Sequence, residues 1–267
     1  MHTWPEIRIT RWEDYVKTIE HLNLEKEWLS HWVFRGQTNS NWTLKPSILR
    51  LLESHQIDRQ LGIKFEMTTL REFQTKAHLY EDFKIKEFKT GKLRLTLTLM
   101  QHYGVPTRLL DWTTSPYIAL YFAVNSDFNN DGAVFLFNQT KMNNIIKEER
   151  YKEDEYLLSE EEESNYINTF LSSFESRRLN SQQGLFSIAA NIDKDHERLI
   201  SNALSKFNTE TESLFCKIII DKNLKIEFLS RLRTMNAKAD QIYPDLYGFC
   251  TSIKDLLEIR GWIKNHK

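Results

Sequence analysis

Apolar positions set the elements. Trp12, Tyr15, Val16, Ile19 and Leu22 recur at helical spacing and predict an amphipathic helix over 11–23. Trp32 to Gln37 reads as a short strand, with aromatic and β-branched residues ahead of an Arg-Gly pair. Residues 44–50 form a loop entering a short helix, and 60–103 is helix-compatible, with Gly91 a break and Gly104 a terminator. Thr107 to Trp112 is extended, and Ser115-Pro116 opens a helix through a capping hydroxyl and a first-turn proline. Asp131-Gly132 is a turn before a buried strand, 133–137. Residues 185–189 and 214–220 read as strands, 222–235 and 244–264 as helices. No repeat or low-complexity linker interrupts the chain, so the expectation is one α+β domain over 1–267, with mixed or antiparallel sheets flanked by helices.

One stretch breaks the pattern. Leu99 to Pro116 packs His102, Tyr103, Thr107, Arg108, Asp111, Thr113, Thr114 and Ser115 against the apolar run 117–123. Polar groups this dense beside hydrophobic surface must bond to one another or to a ligand, because burying them unpaired is costly. Thr113, Thr114 and Ser115 precede a proline-initiated helix, where hydroxyls and free N–H groups suit a phosphate, or else form a helix cap. Asp111, between Leu110 and Trp112, is expected to be partly buried and paired with Arg108 or Arg35.

Upstream, strand alternation puts Val33 and Arg35 on one face and Phe34 on the other. Arg35 suits a phosphate or carboxylate through its planar fork, or a structural pair with Asp111. Gly36 leaves room for a ligand or another backbone to approach. A third polar cluster, Arg177 to Phe186, enters a strand through Gln182, Gln183 and Gly184.

The net charge of −1 argues against holding nucleic acid by overall charge. Two cysteines, Cys216 and Cys250, make neither a disulfide framework nor a metal site, and no metal-ligand spacing occurs. With no secretion signal and no apolar run of about 20 residues, a cytoplasmic protein with no membrane partner is expected. Seven carboxylates between Glu153 and Glu163, with no Lys or Arg among them, form a solvated insertion (151–163) or a contact for a basic partner. Neither a Walker loop nor a Rossmann glycine fingerprint is present.

Together these clusters resemble the bacterial FRG domain. The likeness rests on Phe34-Arg35-Gly36, Gln37, Trp42, Leu44-Lys45-Pro46-Ser47, the run Gln101 to Thr113, Ser115-Pro116, Ala119, Phe122-Ala123, Gln183-Gly184 and Ile242 to Gly248, across most of 30–250. A second resemblance is to mono-ADP-ribosyltransferases. Their aromatic-Arg-Gly strand, Ser-Thr-Ser strand and glutamate loop have counterparts in Arg35, in Thr113-Thr114-Ser115 and in the loop at Gln182-Gln183-Gly184, where glutamines stand in place of glutamate.

This second resemblance implies an ADP-ribosyltransferase-like core acting on NAD without a metal, as a toxin or anti-phage defence effector that modifies an unknown protein or nucleic acid. It implies catalytic roles for Arg35, Asp111 and Gln183, and nucleotide contacts from Arg35, Gly36, Gln37, His102, Tyr103, Thr107, Arg108, Thr113 and Ser115. The alternatives are a non-catalytic nucleotide or nucleic-acid sensor, and a nuclease-like enzyme using His102, Arg108 and Asp111.

Overall fold

The computed structural model describes residues 4–24, 32–80, 93–148, 165–172, 176–205 and 214–265. The acidic stretch 151–163 and Gly91 lie outside them. In chain order the elements are β1 (Glu6–Ile9), α1 (Trp12–Leu24), β2 (Trp32–Gln37), α2 (Ser47–Ser54), α3 (Arg59–Lys76) with a following 3-10 turn, α4 (Leu93–His102), β3 (Leu109–Thr113), α5 (Pro116–Val124) and β4 (Gly132–Asn138). There follow α6 (Gln139–Glu148), β5 (Ile167–Phe170), α7 (Arg177–Ser181), β6 (Gly184–Ala189), α8 (His196–Leu204), β7 (Phe215–Ile220), α9 (Lys225–Thr234), α10 (Ala239–Ile242) and α11 (Leu246–Asn265).

The strands form one mixed seven-stranded sheet in the order β1-β7-β4-β2-β3-β6-β5. β1 lies parallel to β7 and every other neighbour is antiparallel. Alternation divides the side chains between two cores. On one face Val33, Phe135, Phe137, Trp112 and Ile188 pack with α4, α6 and α8. On the other, Phe34, Val134, Leu136 and Ile218 pack with α1, α5, α9, α10 and α11. The mixed sheet flanked by helices agrees with the sequence reading, as does the segregation of Val33 from Phe34.

α5 is buried almost all round, as its unbroken apolar sequence requires. The Ser115 hydroxyl caps it by accepting from the Ile118 N–H, with Pro116 in the first turn. Its outer side is anchored by the Tyr15 hydroxyl donating to the Pro116 carbonyl and the Tyr121 hydroxyl donating to Asp255, both at 2.8 Å. Its inner side lies directly on β2 at Gly36. A Cβ built there falls 1.9 Å from the Ala119 carbonyl oxygen and 2.7 Å from the Ala123 nitrogen. The close approach that Gly36 permits is therefore that of a helix backbone, not of a ligand.

Arg108 and Glu66 join α3 to the end of β3 from inside the core. Arg108 Nε donates to both Glu66 carboxylate oxygens at 2.9 and 3.0 Å, and Nη2 closes the fork. Nη1 donates to the carbonyls of Ala189 and Ala190 at 3.1 and 3.0 Å. Both side chains are 1% exposed. This corrects two expectations: Arg108 pairs with Glu66 instead of Asp111, and it is closed to any ligand. Thr107 is likewise buried and structural, bonded to the Gln101 side chain and exchanging bonds with Ser47.

Six elements escaped the pattern reading: β1, α6, β5, α7, α8 and α10. Each of β1, β5 and α7 spans five residues or fewer, too short for a period to declare itself.

Candidate functional site

β2 and β3 keep register at a single position, Phe34 opposite Thr113. By contrast β2 holds β4 over six positions and β3 holds β6 over five. The sheet is thus two half-sheets joined at one pair. Beyond that pair the strands part, and a cleft of about 280 Å³ opens beside them, lined by residues of both strands.

Arg35 stands at the point of parting. Its Nη1 donates to the Asp111 carbonyl at 2.7 Å, satisfying an oxygen that a continued β2–β3 ladder would have used. The Asp111 carboxylate lies 3.8 Å from the same nitrogen. Arg35 Nε is buried without a hydrogen-bond partner, an arrangement that calls for an unseen acceptor. Burial holds the guanidinium below its usual pKa, against the attraction of Asp111 and with help from nearby Arg50. Asp111 was expected to be partly buried, but its side chain is 58% exposed. The carboxylate nonetheless helps to line the cleft.

Around this pair the cleft is walled by Phe34, Trp112, Phe122 and Tyr243, with Thr98, Gln101 and His102 from α4. Arg178 of α7 enters from the far rim, its guanidinium 4.7 Å from the centre of the Tyr243 ring. Burial raises the Tyr243 phenol pKa, and Arg178 opposes that. Tyr243 ends α10, and Gly248 lets the first turn of α11 pack directly on it, since a Cβ on Gly248 would fall 1.9 Å from the Tyr243 carbonyl oxygen.

The expected residues separate as follows. Arg35, Asp111, Thr113 and His102 line the cleft, and Gly36 contributes backbone. Tyr103 turns away into a surface hollow against α3, with Phe73 and Tyr80. Ser115 is spent as the α5 cap, the Thr113 hydroxyl accepts from the Ser115 N–H, and Thr114 bonds Gln183. Three consecutive hydroxyls therefore have three structural partners.

Gln183 is exposed, with φ +47°, and that left-handed turn aims Gln182, not Gln183, into the cleft. Gln37 lines a neighbouring hollow. With Arg108 sequestered, the trio His102, Arg108 and Asp111 of the nuclease reading does not assemble. Arg178 and Tyr243 were not picked out as site residues. Both stood within the polar cluster and the C-terminal motif, but their approach depends on packing.

Beneath the cleft a buried relay fixes Trp112. Its indole N–H donates to Ser187 Oγ at 2.8 Å, and Ser187 Oγ lies 2.8 Å from His196 Nδ1. His196 is fully buried, and burial, reinforced by Arg35 and Arg108, lowers its pKa to about 3. The unfolded chain binds this proton near the ordinary histidine value of about 6.5 and the folded one does not. The stability His196 contributes is therefore complete above about pH 6.5 and is lost as pH falls toward 3, by up to about 1.4 kcal/mol per pH unit. Urea melts at stepped pH should show a shallower acid decline in His196→Gln than in the unaltered protein. Equal slopes would remove His196 from the account.

Cys216 is buried, with its thiol pushed up to about 12, and Cys250 is exposed on α11. No cluster of metal-ligating residues occurs among the described residues. No described helix is long and apolar enough to cross a membrane.

The fold defines a mixed α/β protein with its cleft at an interrupted strand pair. The family model of the FRG domain matches residues 30–132, which supports the FRG assignment for that stretch, from just before β2 to the start of β4. No curated protein and no solved structure matches the chain. Arg35, His102, Asp111 and Thr113 lie inside the matched segment; Arg178, Gln182 and Tyr243 lie beyond it.

Proposed function

We propose that the protein consumes NAD as a substrate in an ADP-ribosyltransferase-like reaction. The observation that carries this reading is the convergence on one cleft of an arginine from β2, a carboxylate from β3 and a glutamine from the loop before β6, three neighbouring strands. This is the chain order that the second resemblance requires. The chemistry of the lining fits such a ligand. Apolar walls suit a pyridine ring, and Arg35, with its unpartnered Nε, suits a phosphate oxygen through charge-assisted bonds.

The bond at issue joins the ribose C1′ to nicotinamide. As it breaks, its electron pair leaves with the neutral base, and positive charge develops on the ribose. The exposed Asp111 carboxylate faces that charge, and Gln182 accepts from a ribose hydroxyl. A nucleophile on the target macromolecule then bonds to C1′ and gives up its proton to Asp111 or to solvent. Arg35 holds the pyrophosphate so that only the ribose moves.

A second reading, a sensor that binds the nucleotide without cleaving it, is favoured by the amide of Gln182, which stabilises positive charge less than a carboxylate would. Nicotinamide release and ADP-ribose labelling of added protein and RNA separate the two. Arg35→Ala is expected to weaken NAD binding at least about thirty-fold, for the loss of a charge-assisted anchor of about 2 kcal/mol. Asp111→Asn is expected to keep NAD affinity within about three-fold and lower turnover about a hundred-fold. Binding without nicotinamide release selects the sensor. Absence of both overturns the proposal.

A further inference from the structure

A second hollow, of about 660 Å³, adjoins the cleft and shares Arg35, Gly36 and Phe122 with it. Three features set it apart from ordinary surface. Trp42, which lines the hollow, is 54% exposed. Gln37, only 9% exposed, donates its amide N–H to the Thr43 carbonyl at 3.3 Å, which fixes the orientation of the amide; its Oε1 is then buried with no hydrogen-bond partner. Arg50, exposed on α2 with its Nη1 donating to the Lys45 carbonyl at 2.6 Å, lines the hollow together with Arg35, so two guanidinium groups border it.

The hollow is also rigid at its back. The fully buried Lys225 donates from Nζ to the carbonyls of Thr38, Ser126 and Asp127, at 2.6, 3.2 and 2.8 Å, and ties two of its loops together. An exposed indole is a platform for a flat aromatic ring. An unpaired buried carbonyl oxygen demands an N–H donor from whatever enters. Adjacent arginines without an equal number of carboxylates demand an anion. A purine with an exocyclic amino group, linked to phosphate, supplies all three.

We propose that this hollow is an aminopurine nucleotide subsite, with the base stacked on Trp42, its amino N–H donating to Gln37 Oε1 and its phosphate held between Arg50 and Arg35. Resting on the NAD reading above, it assigns the adenosine half of the dinucleotide to this hollow and the nicotinamide half to the seam cleft, with Arg35 at the pyrophosphate between them.

Calorimetric titration of the full chain with NAD, its hypoxanthine analogue, AMP and nicotinamide mononucleotide tests the assignment. The hypoxanthine analogue, which replaces the amino group by an oxygen, should bind about ten-fold more weakly than NAD, a comparison that needs no variant. Trp42→Ala, at an exposed position, should melt as the unaltered protein does, weaken NAD and AMP at least ten-fold and leave the mononucleotide unchanged.

Equal binding of NAD and its hypoxanthine analogue, together with indifference to Trp42→Ala, overturns the subsite; nicotinamide release in the same samples would leave the transferase reading standing. Conversely, Trp42-dependent AMP binding without nicotinamide release upholds the subsite and removes the transferase. Failure of both AMP and NAD to bind overturns both.

Discussion

Arg108→Met is expected to leave a protein that is barely folded. The substitution removes the guanidinium from Glu66, whose carboxylate is then charged, buried and unpaired, and leaves the Ala189 and Ala190 carbonyls short of a donor. Breaking a buried pair from one side costs about 3–5 kcal/mol, a large part of a typical total of about 5–15 kcal/mol. Replacing both partners is less damaging, because most of the cost lies in the stranded charge. Arg108→Met combined with Glu66→Leu should therefore recover part of the lost stability, though not all, since the two carbonyls remain unserved. Denaturant midpoints of the two single variants and the double variant give the comparison. A double variant no more stable than Arg108→Met would mean that the stranded charge costs little and that the fork acts chiefly through its bonds to Ala189 and Ala190.

Gly36→Ala is expected to be nearly as severe, for a steric reason. The added methyl would sit 1.9 Å from one backbone atom of α5, 2.7 Å from another and 2.8 Å from the Phe122 Cβ. Backbone cannot swing aside as a side chain does, so the whole helix must lift from β2. Overpacking costs about 1–3 kcal/mol, and occasionally more. A helix capped at one end and pinned by Tyr15 and Tyr121 on its outer side belongs at or above the top of that range. Lifting α5 also moves Phe122 away from Arg35, so nucleotide affinity should fall along with the melting temperature. Gly261→Ala on α11 is the control. A Cβ there meets nothing within 4 Å, so an unchanged or slightly raised melting temperature is expected. If Gly36→Ala melts like that control, α5 does not rest on β2 as described.

These contrasts mark what the sequence could convey. β2, β3, α5 and β4 were legible because strand alternation, a Ser-Pro cap and a turn dipeptide are local signals. The pairing of Val33 with Arg35 on one face also followed from period two alone. Partners were not legible. Arg108 looked like a ligand-binding cation beside Asp111; its true partner lies 42 residues earlier on α3, and no local pattern ties the two. Thr113, Thr114 and Ser115 read as a phosphate site or a helix cap; in the fold a cap, a turn bond and a bridge to Gln183 use all three. The choice between Gln182 and Gln183 depended on one backbone dihedral. Arg178 and Tyr243 reach the cleft on α7 and just after α10, an approach decided by helix packing.

The interrupted strand pair has a further consequence, for how the chain comes together. β2 cannot be flanked until β3 and β4 exist, and its arginine finds the Asp111 carbonyl only 76 residues later. β1 waits longest: its Glu6 meets Lys217 across 211 residues. Contacts so distant along the chain make for slow folding, since loop closure is paid before any pairing is gained. The two half-sheets, each continuous within itself, are the natural units to form first, with their single shared pair closing last. On that order the cleft would be the last part of the molecule to acquire its shape, and refolding followed at Trp112, whose ring packs edge-on against Phe137 of the other half-sheet, should lag behind the recovery of backbone secondary structure.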